Sequence, residues 1–239
     1  MADALKTLAV VQHTSGEYLG LIEDHLELRR IGFRYFRPFT AGGRTPRTAE
    51  AADGLVLLGG GPWAASPGER RLPSLDQELE LAADALEAGT PVIGFGLGAQ
   101  ILALASGGSV RPGPLLFEVG TARRVVDDAL AGCLPSRYPL VRYGRDQLMV
   151  PPHARTLACD EAGQAALFQL GERAFGFAGH PGIKSAIIED LIMEFPEAPA
   201  ETVAPLAALR AHQAELHAAL GAVMTGLIRC LGLMGETAD

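Results

Sequence analysis

Cysteine is scarce in this chain and poorly spaced for structural use. Cys133, Cys159 and Cys230 are odd in number and far apart, which excludes a complete disulfide framework and supplies no paired ligands for a zinc site. Basic residues are also in deficit: 20 Lys and Arg face 28 Asp and Glu, for a formal net charge of -8. No run of them forms the stripe that a phosphate backbone requires, so a nucleic-acid partner is not expected. The chain lacks an uninterrupted apolar stretch long enough to span a bilayer. No basic leader precedes the first apolar run in MADALKTLAVVQH, and the segment reads as a buried strand rather than a signal peptide. These absences lead to the expectation of a cytoplasmic protein without membrane, metal or cofactor. Repeats, linkers and low-complexity tracts are missing too, leaving no place to divide the chain into domains.

What is present is apolar: 48% of the residues are hydrophobic and 20% charged, a balance that supports a packed core and not a disordered chain. A Val-rich run from Thr7 to Gln12 is followed by Tyr18 to Arg30, with Leu19, Ile22, Leu26 and Ile31 at the spacing of one helical face. The alternation continues with strands at Phe33–Phe36, Gly54–Leu58 and Val92–Phe95 and a helix at Leu75–Ala88. Strands separated by helices imply an α/β fold with a mostly parallel sheet covered on both faces. Beyond Ser106 the chain is rich in short strands, at Glu118–Val126, Leu140–Tyr143, Thr156–Cys159, Ala165–Leu170 and Ala174–Phe177, with Gly and Pro between them. Helices at Lys184–Phe195 and Pro205–Leu231 close the chain.

Helix Gly98–Ala105 follows the Val92–Phe95 strand with no loop between them, so the junction must turn sharply. Its sequence, PVIGFGLGAQ, places glycines at 94, 96 and 98. Flanking glycines let a strand-to-helix elbow expose its central residue at the top of the sheet, over a helix N-terminus that favours negative charge. A Gly-x-Gly-x-Gly run is also compatible with a nucleotide loop or with close helix-sheet packing.

The stretch Gly94-Phe95-Gly96-Leu97-Gly98-Ala99-Gln100 resembles the nucleophile motif Gly-x-Cys-x-Gly-x-Gln of class I glutamine amidotransferases, with glycine at the cysteine position. Three further segments share the resemblance, in the same order, from about Leu8 to Phe195. LLGGGPW (57–63) is similar to the family's Gly-Gly-Pro oxyanion loop, FEVG (117–120) to its Glu-x-Gly strand entry, and FGFAGHPG (175–182) to the strand and turn that carry His-Pro-Glu. The resemblance implies a flavodoxin-like fold with a smaller antiparallel β section. It also implies one domain over 1–239, in which 200–239 form a C-terminal helical extension.

Carried over position by position, the resemblance puts the nucleophile on Gly96, the base on His180 and the orienting acid on Gly182. Two of the three side chains that such chemistry needs are therefore missing. The oxyanion donors fall on the N–H groups of Gly61 and Leu97, and Gln100 and Gly120 join them as substrate-binding positions. Gly144, in VRYGRD, stands where relatives carry a histidine that touches the substrate. No other side chain reads as a substitute nucleophile. Cys159 lies beside Asp160 and Glu161, whose charge raises a thiol pKa, while Cys133 reads as a loop residue and Cys230 as a buried helix residue. Ser106 and Ser109 lie beyond the elbow helix.

The expectation is a protein of the kind that forms the glutaminase domain of GMP synthase, without glutaminase activity. It would keep a pocket between Gly61, Leu97 and His180 for glutamine, a γ-glutamyl compound or another small molecule. Two alternatives stand beside it: an amidotransferase or γ-glutamyl amide hydrolase working by a non-standard mechanism around His180, and an interaction protein that docks on a synthase or on a second copy of itself. Replacing Gly96 by Cys and Gly182 by Glu together is expected to restore weak activity if the pocket still fits glutamine.

Overall fold

The structure is a computed structural model and describes residues 6–234. Its first half alternates strand and helix: β1 (Thr7–Val11), α1 (Leu21–Glu27), β2 (Gly32–Phe36), a short 3-10 turn (Thr48–Ala51), β3 (Leu55–Leu57), α2 (Leu75–Glu87), β4 (Val92–Phe95) and α3 (Leu97–Ala105). Then come β5 (Ser109–Arg111), β6 (Leu116–Arg124), β7 (Arg137–Gly144), β8 (Gln147–Met149), β9 (Arg155–Cys159), β10 (Ala165–Leu170) and β11 (Ala174–Phe177). Helices α4 (Ser185–Glu194), α5 (Val203–Ala211) and α6 (Gln213–Leu231) follow.

One sheet in the order β2-β1-β3-β4-β11-β10-β9-β6-β7 runs through the molecule. From β2 to β11 every pairing is parallel, and from β11 to β7 every pairing is antiparallel. The inner parallel strands β1, β3, β4 and β11 are buried on both faces, and alternation along them assigns the two layers. Leu8 and Val10 of β1 join Phe95, Phe177 and the inner side of α6, whereas Ala9 and Val11 join Leu81, Ile101 and Leu102 of α2 and α3. A third cluster of Val141, Ile187, Ile188, Leu191 and Leu209 seats α4 and α5 on the antiparallel end.

Three expectations need correction. The first helix is shorter than Tyr18–Arg30, because Gly20 at φ +63° admits the chain to α1. Residues 14–19 instead form a loop over the carboxyl end of the sheet. The long C-terminal helix is two helices: His212 accepts the N–H of Leu216 while donating its own to Ala208, so it ends α5 and begins α6. α6 is long and apolar enough to cross a bilayer, which the chain was not expected to contain. Its apolar side is nonetheless inside, where Leu220, Val223, Leu227 and Leu231 pack under the sheet. The small ribbon of β5 and β8 had no counterpart in the sequence reading. Residues 1–5, at the start of the N-terminal segment, and 235–239, at the end of the helical extension, lie outside the described residues.

Candidate functional site

The elbow joins β4 to α3 at the centre of the sheet, and its glycines have separate physical causes. A Cβ on Gly94 would fall 2.5 Å from the Gly98 carbonyl oxygen, and one on Gly98 would overlap the Leu57 carbonyl, so these two let helix and strand touch. Gly96 sits between them at φ +53° and ψ -113°, a conformation that costs a residue with a Cβ about 1–3 kcal/mol. There is room for a side chain, since the closest atom to an ideal Cβ is Gly59 Cα at 3.6 Å. Backbone strain, rather than lack of space, is what glycine relieves at this position. The Leu97 N–H, first in α3, has no acceptor among the described residues, and Leu97 lines the cavity above.

Across from the elbow, the loop after β3 has its own buried polar support. The Gly61 N–H donates to Glu17 Oε2 at 3.1 Å, and the Glu17 carboxylate fills the space beside Gly59 that a Cβ would need. Beneath them His13 Nδ1 lies 2.8 Å from the Gly59 carbonyl and Nε2 lies 2.7 Å from Glu78 Oε2, while Ser74 Oγ donates to Glu78 Oε1. Both His13 nitrogens face acceptors, so the His13–Glu78 pair must hold two protons between them. Burial pulls the His13 pKa down, but the charge and hydrogen bond of Glu78 outweigh it and the net direction is upward. Burial raises Glu17 to about 7, against the Gly61 N–H and the charge of His13.

His180 packs beside the elbow, against the residue that precedes Gly96. Its ring stacks on Phe95 with centroids 5.2 Å apart and an interplanar angle of 19°, on the layer that faces α1 and α6. Nε2 donates to the Tyr18 carbonyl at 3.0 Å, and Nδ1 accepts the Gly182 N–H at 3.2 Å. Both ring nitrogens are thus engaged by backbone, and burial pushes the pKa down to about 4. The pocket envisaged between Gly61, Leu97 and His180 is corrected in one member: the elbow cavity is lined by Gly61 and Leu97 but not by the imidazole. Gly182 is packed against the start of α1, with an ideal Cβ 2.6 Å from Ile22 Cγ1 and 3.1 Å from the Ile22 nitrogen. A glutamate at 182 would have to displace that turn, so the double replacement does not fit this backbone.

The elbow cavity has a volume of about 420 Å³ and is walled by Gly61, Gly96, Leu97, Gln100, Tyr143 and Gly144, among others. Gln100 is 7% exposed and donates through Nε2 to the carbonyls of Arg145 and Asp146, which leaves Oε1 without a partner. The Tyr143 hydroxyl is likewise unpartnered. Arg142 marks the mouth, paired with Glu118 at 2.9 Å and Asp160 at 2.9 Å. Gly120 is not part of this wall. It lies two residues and about 7 Å further along β6 than Glu118, in a shallow groove with Thr121, Glu201 and Ala204.

None of the three cysteines lines the cavity. Burial, then the Asp160 charge, raises the Cys159 thiol, and burial raises Cys230. Among the described residues no cluster of three His, Cys, Asp or Glu side chains is placed to hold a metal ion. Sequence reasoning missed Glu17, His13 and Glu78. Glu78 was detectable, because it shares with Leu75, Ala82 and Ala85 the face of α2 that is buried, and a carboxylate on an apolar face needs a partner. Glu17 could have been flagged by its position after β1, since loops at the carboxyl ends of parallel strands border the site in open α/β sheets.

Comparison with known proteins agrees with this architecture. The family model described as Glutamine amidotransferase class-I matches residues 25–186. The chain is 32% identical over 172 residues to a glutamine-hydrolyzing GMP synthase of Aeropyrum pernix, covering 71% of this chain but only 31% of that protein. It is 29% identical over 174 residues to a glutamine-hydrolyzing GMP synthase subunit of Ignicoccus hospitalis, covering 71% of this chain and 85% of that one. Among solved structures, a glutamine amido transferase from Methylobacillus flagellatus superposes with a TM-score of 0.81 at 24% identity, over 99% of both chains. With the elbow, the sheet order and a match over residues 25–186, the chain belongs to the class I glutamine amidotransferase family.

Proposed function

We propose that this protein keeps the fold of a GMP-synthase-type glutaminase domain but not its glutaminase activity, and that the elbow cavity serves as a small-molecule site. The observation that carries the reading is Gly96: the backbone there has an elbow geometry and room for a side chain, but no sulfur to form a thioester. His180 supports it, because a base held through both nitrogens and neutral down to about pH 4 has no free lone pair for a substrate. A non-standard reaction around His180 is disfavoured on the same ground. The ligand class is that of glutamine and γ-glutamyl compounds, which the unpartnered Gln100 Oε1 and Leu97 N–H suit as acceptor and donor. A cytoplasmic location without nucleic-acid or membrane partners belongs to the same proposal. So does a synthase partner, which the similarity to a separate GMP synthase subunit of Ignicoccus hospitalis supports. A docking role for the C-terminal helices, or self-association through them, has less support because the stripe of α6 is already used inside.

Two measurements test this together. Incubation with a glutamine-mimicking electrophile followed by intact-mass spectrometry should show no adduct, and a structure soaked with L-glutamine should show density beside Gly96 and Gln100. A single stoichiometric adduct would defeat the inactive reading, and a cavity that stays empty at high glutamine concentration would defeat the ligand-site reading.

A further inference from the structure

The loop after β1 takes over several groups that an amidotransferase would direct at its substrate. Glu17 accepts the Gly61 N–H, the Tyr18 carbonyl accepts His180 Nε2–H, and Leu21 N–H donates to the Gly182 carbonyl. Glu17 is the member of this set that carries charge, and it is 3% exposed. An N–H held by an ionised carboxylate is not free for a second acceptor, because charge-assisted hydrogen bonds are the stronger ones. A ligand oxygen arriving at the elbow is then left with the Leu97 N–H and the Tyr143 hydroxyl but not the Gly61 N–H, and meets a negative charge behind the Gly61 wall.

We infer that Glu17 determines the charge of the ligand end that the elbow cavity accepts: ionised, it admits a neutral amide and excludes an acid, and an acid enters only together with a proton taken up by Glu17. This rests on the elbow cavity being a ligand site. The groups facing Glu17 are compatible with one proton being shared between the wall and the ligand. His13, paired with Glu78 of α2, favours the ionised form, whereas Glu194 of α4 opposes it. Glu17 in turn raises Tyr143 of β7, with burial as the larger cause. Burial and these charges bring Glu17 to about 7, so its state changes across the neutral range.

The test uses the whole chain with L-glutamine and L-glutamate as probes, which differ at the relevant end only in amide against acid. Calorimetry at pH 6 and pH 8 should show L-glutamate binding about tenfold tighter at pH 6, following the protonated fraction of a group near 7, with uptake of about 0.9 proton at pH 8 and about 0.1 at pH 6. L-Glutamine should bind equally at both values, and Glu17→Gln should bind the acid equally at both. Tighter binding of the acid at pH 8, or an unchanged pH dependence in Glu17→Gln, overturns the inference. The Gly61 amide resonance provides a readout that needs no ligand. It should titrate near pH 7 in the wild type and be flat in Glu17→Gln. A Gly61 resonance that ignores pH overturns the Glu17 assignment, whereas titration at Gly61 with neither probe bound overturns the ligand-site reading.

Discussion

Gly96 and Glu17 show how single residues redirect this fold. At Gly96 the absence of a Cβ avoids a strained backbone, a gain in stability that the proposed function makes available because it requires no nucleophile there. At Glu17 the direction is reversed, because a buried carboxyl raised from 4.5 to about 7 makes the folded state less stable as pH rises. Between those values the folded protein binds the proton that the unfolded chain has released, so stability falls with pH through that window. The cost is absent below pH 4.5 and complete above pH 7, where it amounts to roughly 3 kcal/mol. Glu17→Gln keeps an acceptor for the Gly61 N–H without the charge. It should therefore melt several degrees higher than wild type at pH 8 and close to wild type at pH 4.5, as read by calorimetry. An equal advantage at both pH values would show that Glu17 is not the titrating group. His180 contributes with the opposite sign: its pKa is depressed to about 4, so its stabilising effect is complete above pH 6.5 and lost as pH falls through 4.

At the scale of elements, the junction of β4 and α3 is where packing is least forgiving. A methyl group added at Gly98 would overlap the Leu57 carbonyl, and backbone cannot move aside as a side chain can. Gly98→Ala should cost about 3 kcal/mol or more in urea unfolding. Gly221→Ala on α6, where an added Cβ meets nothing within 4 Å, should stabilise by about 0.5–1 kcal/mol. Similar effects at the two positions would contradict the view that helix and strand touch at this elbow. This junction was legible in the sequence, because its glycines, the strand before it and the helix after it are all local signals. The parallel strands were legible for the same reason, each a short apolar run bounded by turns. The β5–β8 ribbon was not, since three-residue strands carry no measurable periodicity and the pairing of Ser109 with Met149 is set by tertiary contact. Nor was the turn of His180 toward Phe95 and Tyr18: position along the chain places a histidine near the elbow, but the rotamer depends on backbone partners from two other segments.

For the molecule as a whole, the chain belongs to the class I glutamine amidotransferase family, and the buried polar groups around its elbow hold the structure together. The Glu78–His13 pair supports the Gly59 carbonyl, Glu17 secures Gly61, and the backbone of Tyr18 and Gly182 fixes the imidazole. Family membership and the proposed lack of glutaminase activity are compatible, because the fold is stabilised by contacts that do not require a nucleophile. The most direct measurement is ammonia release from L-glutamine by the purified chain, compared with a His180→Ala variant and a protein-free blank. Wild type and variant are both expected to be indistinguishable from the blank from pH 6 to pH 9. Sustained release by the wild type that disappears in His180→Ala would contradict this expectation.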